Sequence, residues 1–351
     1  MKLVLVNPRG FCAGVYMAID VVEQLVAMDL GRPIFVHHEI VHNKHVVDRF
    51  RRRGVRFVDS LDEVPVGSVV VFSAHGVSPA LRRQAVERRL TAIDATCPLV
   101  TKVHTEAVRY AAKGFQILLV GHAAHQEIVG TRGEAPDAIQ VVSSPQDIPN
   151  LHIEDPARLV YLTQTTLSMD DASRIVDALR EAFPNIKDPP SEDICYATTN
   201  RQKAVRAIAQ SCDLVLVVGS KNSSNSVRLT EIAEARGAPA YLIDDKSELE
   251  EGWFDGVERV LITAGASAPE DLVRDLVLYL IDSYGGEVEQ HDIFHESIEF
   301  GLPATLKRFM RHNDIDPDGR RIVRDDAEAL DRWLKDQGIA HRTVDVTVGA
   351  T

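Results

Sequence analysis

The stretch Leu3-Val4-Leu5-Val6-Asn7-Pro8-Arg9-Gly10-Phe11-Cys12-Ala13-Gly14-Val15 decides how the rest of the chain is read. Four apolar residues, two of them β-branched, predict a buried strand. Asn7-Pro8 and Gly10 break it. A helical period follows over residues 16–28. Strand, loop of small and polar residues, helix: this is the half-unit of an α/β fold. The order recurs. Apolar runs stand at 69–72, 117–120, 159–162, 214–218 and 260–263, and helical periods at 101–112, 172–182, 201–211, 227–236 and 270–282. The alternation predicts α/β architecture with small parallel sheets. Ligands of such sheets bind in the loops at the carboxyl ends of the strands.

Those loops carry the unusual residues. They include Ser73-Ala74-His75-Gly76, Gly121-His122-Ala123-Ala124-His125-Gln126-Glu127, Thr163-Gln164-Thr165-Thr166, Lys221-Asn222-Ser223-Ser224-Asn225 and Ala264-Gly265-Ala266-Ser267. Fold alone asks for Gly, Asn and Asp there, not for recurrent His, Ser and Thr. The spacing of Cys12, Cys97 and Cys195 suggests three similar α/β units, 1–97, 98–190 and 191–302, with a linker at Lys187-Asp188-Pro189-Pro190-Ser191. Residues 303–351 form a charge-dense tail with a helical stretch at 325–335 and a Val-Thr alternation near the end. No chemistry can be placed in it.

Composition sets the outer bounds. The chain has 351 residues, 45% hydrophobic and 26% charged, enough for a sizeable core. The 52 acidic residues outnumber the 39 Lys and Arg, for a net charge of −13. That balance argues against a nucleic-acid partner, which needs a basic footprint. No apolar run reaches the roughly 18 residues of a membrane span, and the start is too polar for a signal peptide. A cytoplasmic protein is expected, without a membrane partner. Its four Cys are then poor disulfide material.

Cys12, Cys97 and Cys195 each sit in a loop just ahead of a helical stretch. Thiols at helix N-termini have depressed pKa, because free N–H groups stabilise anionic sulfur. Any one of them could be a small buried hydrophobe; three in matched loops beside polar residues suit a metal centre. Structural zinc prefers four ligands in close pairs, and no such pair exists. Three Cys suit a [4Fe–4S] cluster with one iron lacking a protein ligand, although spacing alone does not separate this from Cys2His zinc. Cys212, at a helix end before an apolar run, reads as core packing.

His42, His75 and His125 lie in loops of three different elements, whereas His37 and His38 read as strand-end surface residues, His45 as a helix residue and His122 as a turn residue. Ser223, Ser224 and Asn225, with Lys221 and a helix start, form a candidate anion site. A helix N-cap needs only one such residue. Ser267 repeats the theme more weakly. Glu127, beside His125, would have a raised pKa in a buried pocket and could donate protons, with Thr165 orienting it. Taken alone, Glu127 reads more simply as a surface residue and Thr165 as a cap.

Together these stretches resemble the 4-hydroxy-3-methylbut-2-enyl diphosphate reductase family of the non-mevalonate isoprenoid route. The likeness runs through residues 7–15, 73–78, 94–100, 121–133, 163–168, 194–202 and 218–225, in family order, and spans about residues 1–302. It implies a trefoil of three α/β units around a [4Fe–4S] cluster. Cys12, Cys97 and Cys195 would hold three irons, and the substrate hydroxyl would reach the fourth. His42, His75, His125, Ser223, Ser224, Asn225 and Ser267 would bind the diphosphate, and Glu127 and Thr165 would handle protons. A ferredoxin or flavodoxin would supply single electrons. Isopentenyl and dimethylallyl diphosphates would be the products. Two rival classes stay open: a zinc-dependent hydrolase of a phosphorylated substrate, and a redox-sensing interaction protein. Gln126 departs from the resemblance, since many relatives carry Pro there, and the tail beyond residue 302 runs past the usual end.

Overall fold

The computed structural model describes residues 1–318, 327–339 and 341–345. The chain opens with strand β1 (Lys2–Asn7) and helix α1 (Ala13–Ala27). Next come β2 (Ile34–His37), α2 (Lys44–Arg52), β3 (Arg56–Val58), β4 (Val69–Phe72), α3 (Pro79–Glu87) and β5 (Thr91–Asp94). These strands pair in the order β3-β2-β4-β5, all parallel. Helix α4 (Pro98–Ala112) leads to β6 (Gln116–Val120), α5 (Gln126–Glu134), β7 (Ile139–Val142), β8 (Leu159–Thr163) and α6 (Met169–Ala182). A parallel three-stranded sheet, β7-β6-β8, results.

The remainder is α7 (Tyr196–Ile208), β9 (Leu214–Val218), α8 (Ser224–Ala235), β10 (Ala240–Ile243), β11 (Arg259–Ala264), α9 (Glu270–Tyr284), β12 (Glu287–Asp292), α10 (Ala304–His312), α11 (Ala327–Asp336) and β13 (His341–Asp345). Its sheet runs β10-β9-β11-β1-β12-β13, again parallel. The fold is α/β with three small parallel sheets, as the alternation predicts.

One strand crosses the expected 1–97 division. β1 pairs with β11 and β12 and not with the sheet of residues 34–94. The reason lies in its composition. Leu3, Val4, Leu5 and Val6 are all 0% exposed, so both faces must be covered. Leu3 and Leu5 pack with Leu272, Leu276 and Leu280 of α9. Val4 and Val6 pack on the other face with Ala204, Val205 and Ile208 of α7. A central strand of a six-stranded sheet offers that double cover.

The tail is also tied in. Leu306 and Met310 of α10 are fully buried in the core shared by α1, β2 and β4. β13 extends the large sheet beyond β12. Residues 325 and 326 of the expected 325–335 helix, and the alternation beyond residue 345, lie outside the described residues. Among the described residues no helix is long and apolar enough to cross a membrane.

Leu306→Ala is expected to lower unfolding free energy by about 2–5 kcal/mol in urea titration, the usual range for a core leucine. A loss below about 0.5 kcal/mol, typical of a surface site, would show that α10 does not dock.

Candidate functional site

Three helices begin at cysteines. Cys12 caps α1, Cys97 caps α4 with Pro98 at the first helical position, and Cys195 caps α7. An N-cap side chain faces the free N–H groups of the first turn. The Cys195 sulfur accordingly accepts from Thr198 N at 3.4 Å and lies 3.1 Å from Thr198 Oγ1. Amides of Gly14 and Val15 favour the anion at Cys12, and those of Leu99 and Val100 at Cys97, although neither sulfur makes a capping hydrogen bond. A Cβ added at Gly14 would stand 2.6 Å from Cys97 Sγ and 3.9 Å from Cys12 Sγ, so glycine is what lets these two sulfurs share one space.

All three thiols line a single cavity of about 760 Å³, counting the part open to solvent. His42, His75, His125, Glu127, Thr165, Ser223, Ser224, Asn225 and Ser267 line it too. The structure thus brings together all twelve residues singled out from the sequence. Among the described residues, no three His, Cys, Asp or Glu side chains close on one point as ligands of a single ion. The thiols surround a volume.

Their ionisation departs from the sequence expectation. Burial pushes the Cys12 and Cys97 thiols up and Cys195 to about 11, outweighing the helix amides that favour the anion. Desolvation of a buried thiolate costs more than an N-terminal dipole returns. These groups therefore stay protonated at neutral pH until a cationic centre displaces their protons.

The opposite wall is built for an anion. The rings of His42 and His75 stack with centroids 4.0 Å apart, and His125 stands edge-on to both at 5.6 and 5.9 Å. Burial and mutual repulsion hold His75 well below its ordinary value and His125 at about 4. His125 Nδ1 accepts from Glu127 N at 3.2 Å, so its neutral ring carries the proton on Nε2. Ser223 caps α8, and Ser267 Oγ donates to the His42 carbonyl at 2.8 Å. Both amide atoms of Asn225 are buried with no protein partner, although the residue lines the cavity. Unpaired buried polar atoms are costly, and a polar ligand would satisfy them.

Glu127 is 2% exposed. Thr165 N donates to its Oε1 at 2.7 Å and Thr165 Oγ1 to its Oε2 at 3.0 Å. Burial still dominates and raises the carboxyl from 4.5 to about 7. Behind this wall, a Cβ at Gly76 would meet His104 Cε1 at 3.0 Å, and His104 Nδ1 lies 2.9 Å from Glu134 at the far end of α5. The loop of His75 and the helix of Glu127 thereby brace each other.

The readings of His37 and Lys221 shift, and those of His45, His122 and Cys212 hold. His37 is buried, not a surface residue. Lys221 is exposed and does not line the cavity. His45 pairs with Asp245 and His122 with Arg228, both outside the cavity lining. Cys212 packs in an apolar core. Gln126 takes the first position of α5, where Pro is also tolerated. The sequence reading missed Thr198 and Tyr196, which line the cavity. The three-residue step from Cys195 to Thr198, that of an N-cap and its N3 partner, was the available signal.

Comparison with known proteins agrees with this geometry. The profile of the family described as LytB protein matches residues 3–281. The chain belongs to the LytB family. Curated LytB relatives are named 4-hydroxy-3-methylbut-2-enyl diphosphate reductase. The Pseudomonas aeruginosa protein is 53% identical over 312 residues, covering 88% of this chain and 99% of its own. The Rhodopirellula baltica protein is 51% identical over 309 residues, covering 88% and 97%. A solved LytB-type structure, the E-1-hydroxy-2-methyl-but-2-enyl-4-diphosphate reductase of Plasmodium falciparum, superposes with a TM-score of 0.86 at 38% identity over 89% of this chain and 99% of that one. The LytB architecture is the trefoil that the resemblance implied.

The raised Glu127 pKa has a sign. Its contribution to stability is full below about pH 4.5 and is lost as pH rises through about 7, because burial favours the neutral form. Glu127→Gln should therefore melt higher than the wild type above about pH 8 and no higher near pH 4.5. A melting difference independent of pH, followed by scanning calorimetry, would contradict the assignment.

Proposed function

We propose that the protein reduces (E)-4-hydroxy-3-methylbut-2-enyl diphosphate to isopentenyl and dimethylallyl diphosphates, with loss of the hydroxyl as water. One observation carries this: three thiols, an anion-binding wall and a buried carboxyl with a pKa near 7 share one cavity. Reductases of this family are iron–sulfur enzymes, and the residues here fit a [4Fe–4S] cluster. Cys12, Cys97 and Cys195 would hold three of its irons. They are soft donors arranged around a volume, and Gly14 leaves the room between them. When bound, the cluster supplies electrons and one Lewis-acidic iron without a protein ligand.

The protein's own groups do the rest. The diphosphate takes N–H from His42, His75 and His125, hydroxyls from Ser223, Ser224 and Ser267, and the Asn225 amide. Burial keeps His75 and His125 neutral, and an incoming anion favours their protonation. Anchoring one end of a short substrate fixes its hydroxyl end at the thiol wall, which is catalysis by positioning. Glu127, still partly protonated near pH 7, donates a proton toward the departing hydroxyl, and Thr165 orients it through its two hydrogen bonds. The overall reaction takes two electrons and two protons. We assign delivery of the electrons to a one-electron carrier of the ferredoxin or flavodoxin type, and the setting to the reducing cytoplasm, where free thiols persist.

Anaerobic reconstitution with iron and sulfide should give a brown protein that converts the diphosphate alcohol when a one-electron reductant is supplied. Glu127→Gln should keep cluster and pyrophosphate binding while turnover falls about 100-fold or more. A colourless, zinc-loaded protein that hydrolyses phosphate esters, or a Glu127→Gln variant with unchanged turnover, would overturn the reading.

A further inference from the structure

Arg201 of α7 is 1% exposed, and it is the bulkiest of the fully buried side chains. Its guanidinium joins the Cys12 loop to the first turn of its own helix, which Cys195 caps. Nη2 donates to the Gly10 carbonyl at 2.9 Å, two residues before Cys12. Nη1 donates to the Ala197 carbonyl at 2.9 Å, two residues after Cys195. Nη1 also donates to the Glu296 carboxylate at 3.1 and 3.3 Å, and Asn200 Nδ2 donates to the same carboxylate at 3.1 Å. Gly10 in turn is left-handed, with φ +66, and a Cβ there would meet the Ala268 carbonyl at 3.3 Å. The loop cannot easily take another path.

A buried guanidinium carries a desolvation penalty, which a single partly exposed carboxylate offsets incompletely. The thiol wall explains what the charge is for. Three thiolates bring negative charge into a cavity that burial makes hostile to it. The charged groups acting on Cys12 are Arg201, which favours the anion, and Glu296, which opposes it more weakly. Arg201 bonds the Cys12 loop itself, through the Gly10 carbonyl.

We propose that Arg201 is a positioning residue that ties the Cys12 loop to the helix start capped by Cys195 and whose fixed positive charge makes a cluster bound by those thiols easier to reduce. The inference rests on the reading that the thiols hold an iron–sulfur cluster. Net charge close to such a cluster is one of the determinants of its potential. A neighbouring cation stabilises the more negative, reduced state, and a neighbouring anion does the reverse.

The test is the midpoint potential of the anaerobically reconstituted protein, measured by dye-mediated titration. Arg201→Gln is expected to shift it to more negative values. Glu296→Gln, which keeps an acceptor for Nη1, is expected to shift it the other way. Arg201→Lys keeps the charge but not the fork, so its potential should stay near wild type while its melting temperature falls. A loaded Arg201→Gln protein with the wild-type potential, or two neutralising variants that shift in the same direction, would overturn the proposal. If Arg201→Gln does not load, Glu296→Gln decides: an unchanged or more negative potential refutes the charge effect. A wild type that binds no cluster would instead refute the reading beneath it, so the two failures are distinguishable.

Discussion

Desolvation of three thiols around one space is the constraint on which the site depends. A buried thiolate is unfavourable, and each sulfur here is pushed toward the neutral form. The fold answers with every source of positive potential available to a backbone. Each thiol stands at the N-cap of a helix, Cys195 accepts a first-turn amide, and a buried guanidinium ties the Cys12 loop to the helix that Cys195 caps. These devices reduce the cost without removing it. A cationic inorganic centre of the kind proposed would complete the balance, since it displaces the thiol protons on binding.

The other half of the cavity follows from the same low-polarity setting. Carboxylates facing a diphosphate would repel it, and the groups present are imidazoles, hydroxyls and an amide. The one carboxyl, Glu127, is held near neutrality by its burial and can serve as an acid where a surface glutamate could not. Small residues make the convergence possible. Ser226 fills the space that a Cβ would need at Gly219 and Gly265, where it would come within 2.2 and 1.9 Å of Ser226 Oγ. The start of α8 can therefore press against the ends of β9 and β11.

Much of this was legible in local pattern. The apolar runs at 214–218 and 260–263 became β9 and β11 because a strand buried on both faces needs an unbroken apolar stretch. The three cysteines stood out because each precedes a helical period. What could not be read depends on distant partners. The place of β1 in the last sheet is set by cover from α7 and α9, residues about two hundred positions away. The upward thiol shifts reverse the local helix argument because burial is a property of the whole fold. Leu306 and Met310 sat in a charged tail, and only their docking site shows that they belong to a core. Arg201 looked like an ordinary helix residue; its partner Gly10 is far along the chain.

Iron and acid-labile sulfide per chain, measured after anaerobic reconstitution of single Cys→Ser variants, test the central claim most directly. If Cys12, Cys97 and Cys195 share one inorganic centre, each of their variants loses most of both elements, while Cys212→Ser, altered in an apolar core, retains them. Full loading in any of the first three, or loss in the fourth, would contradict the account.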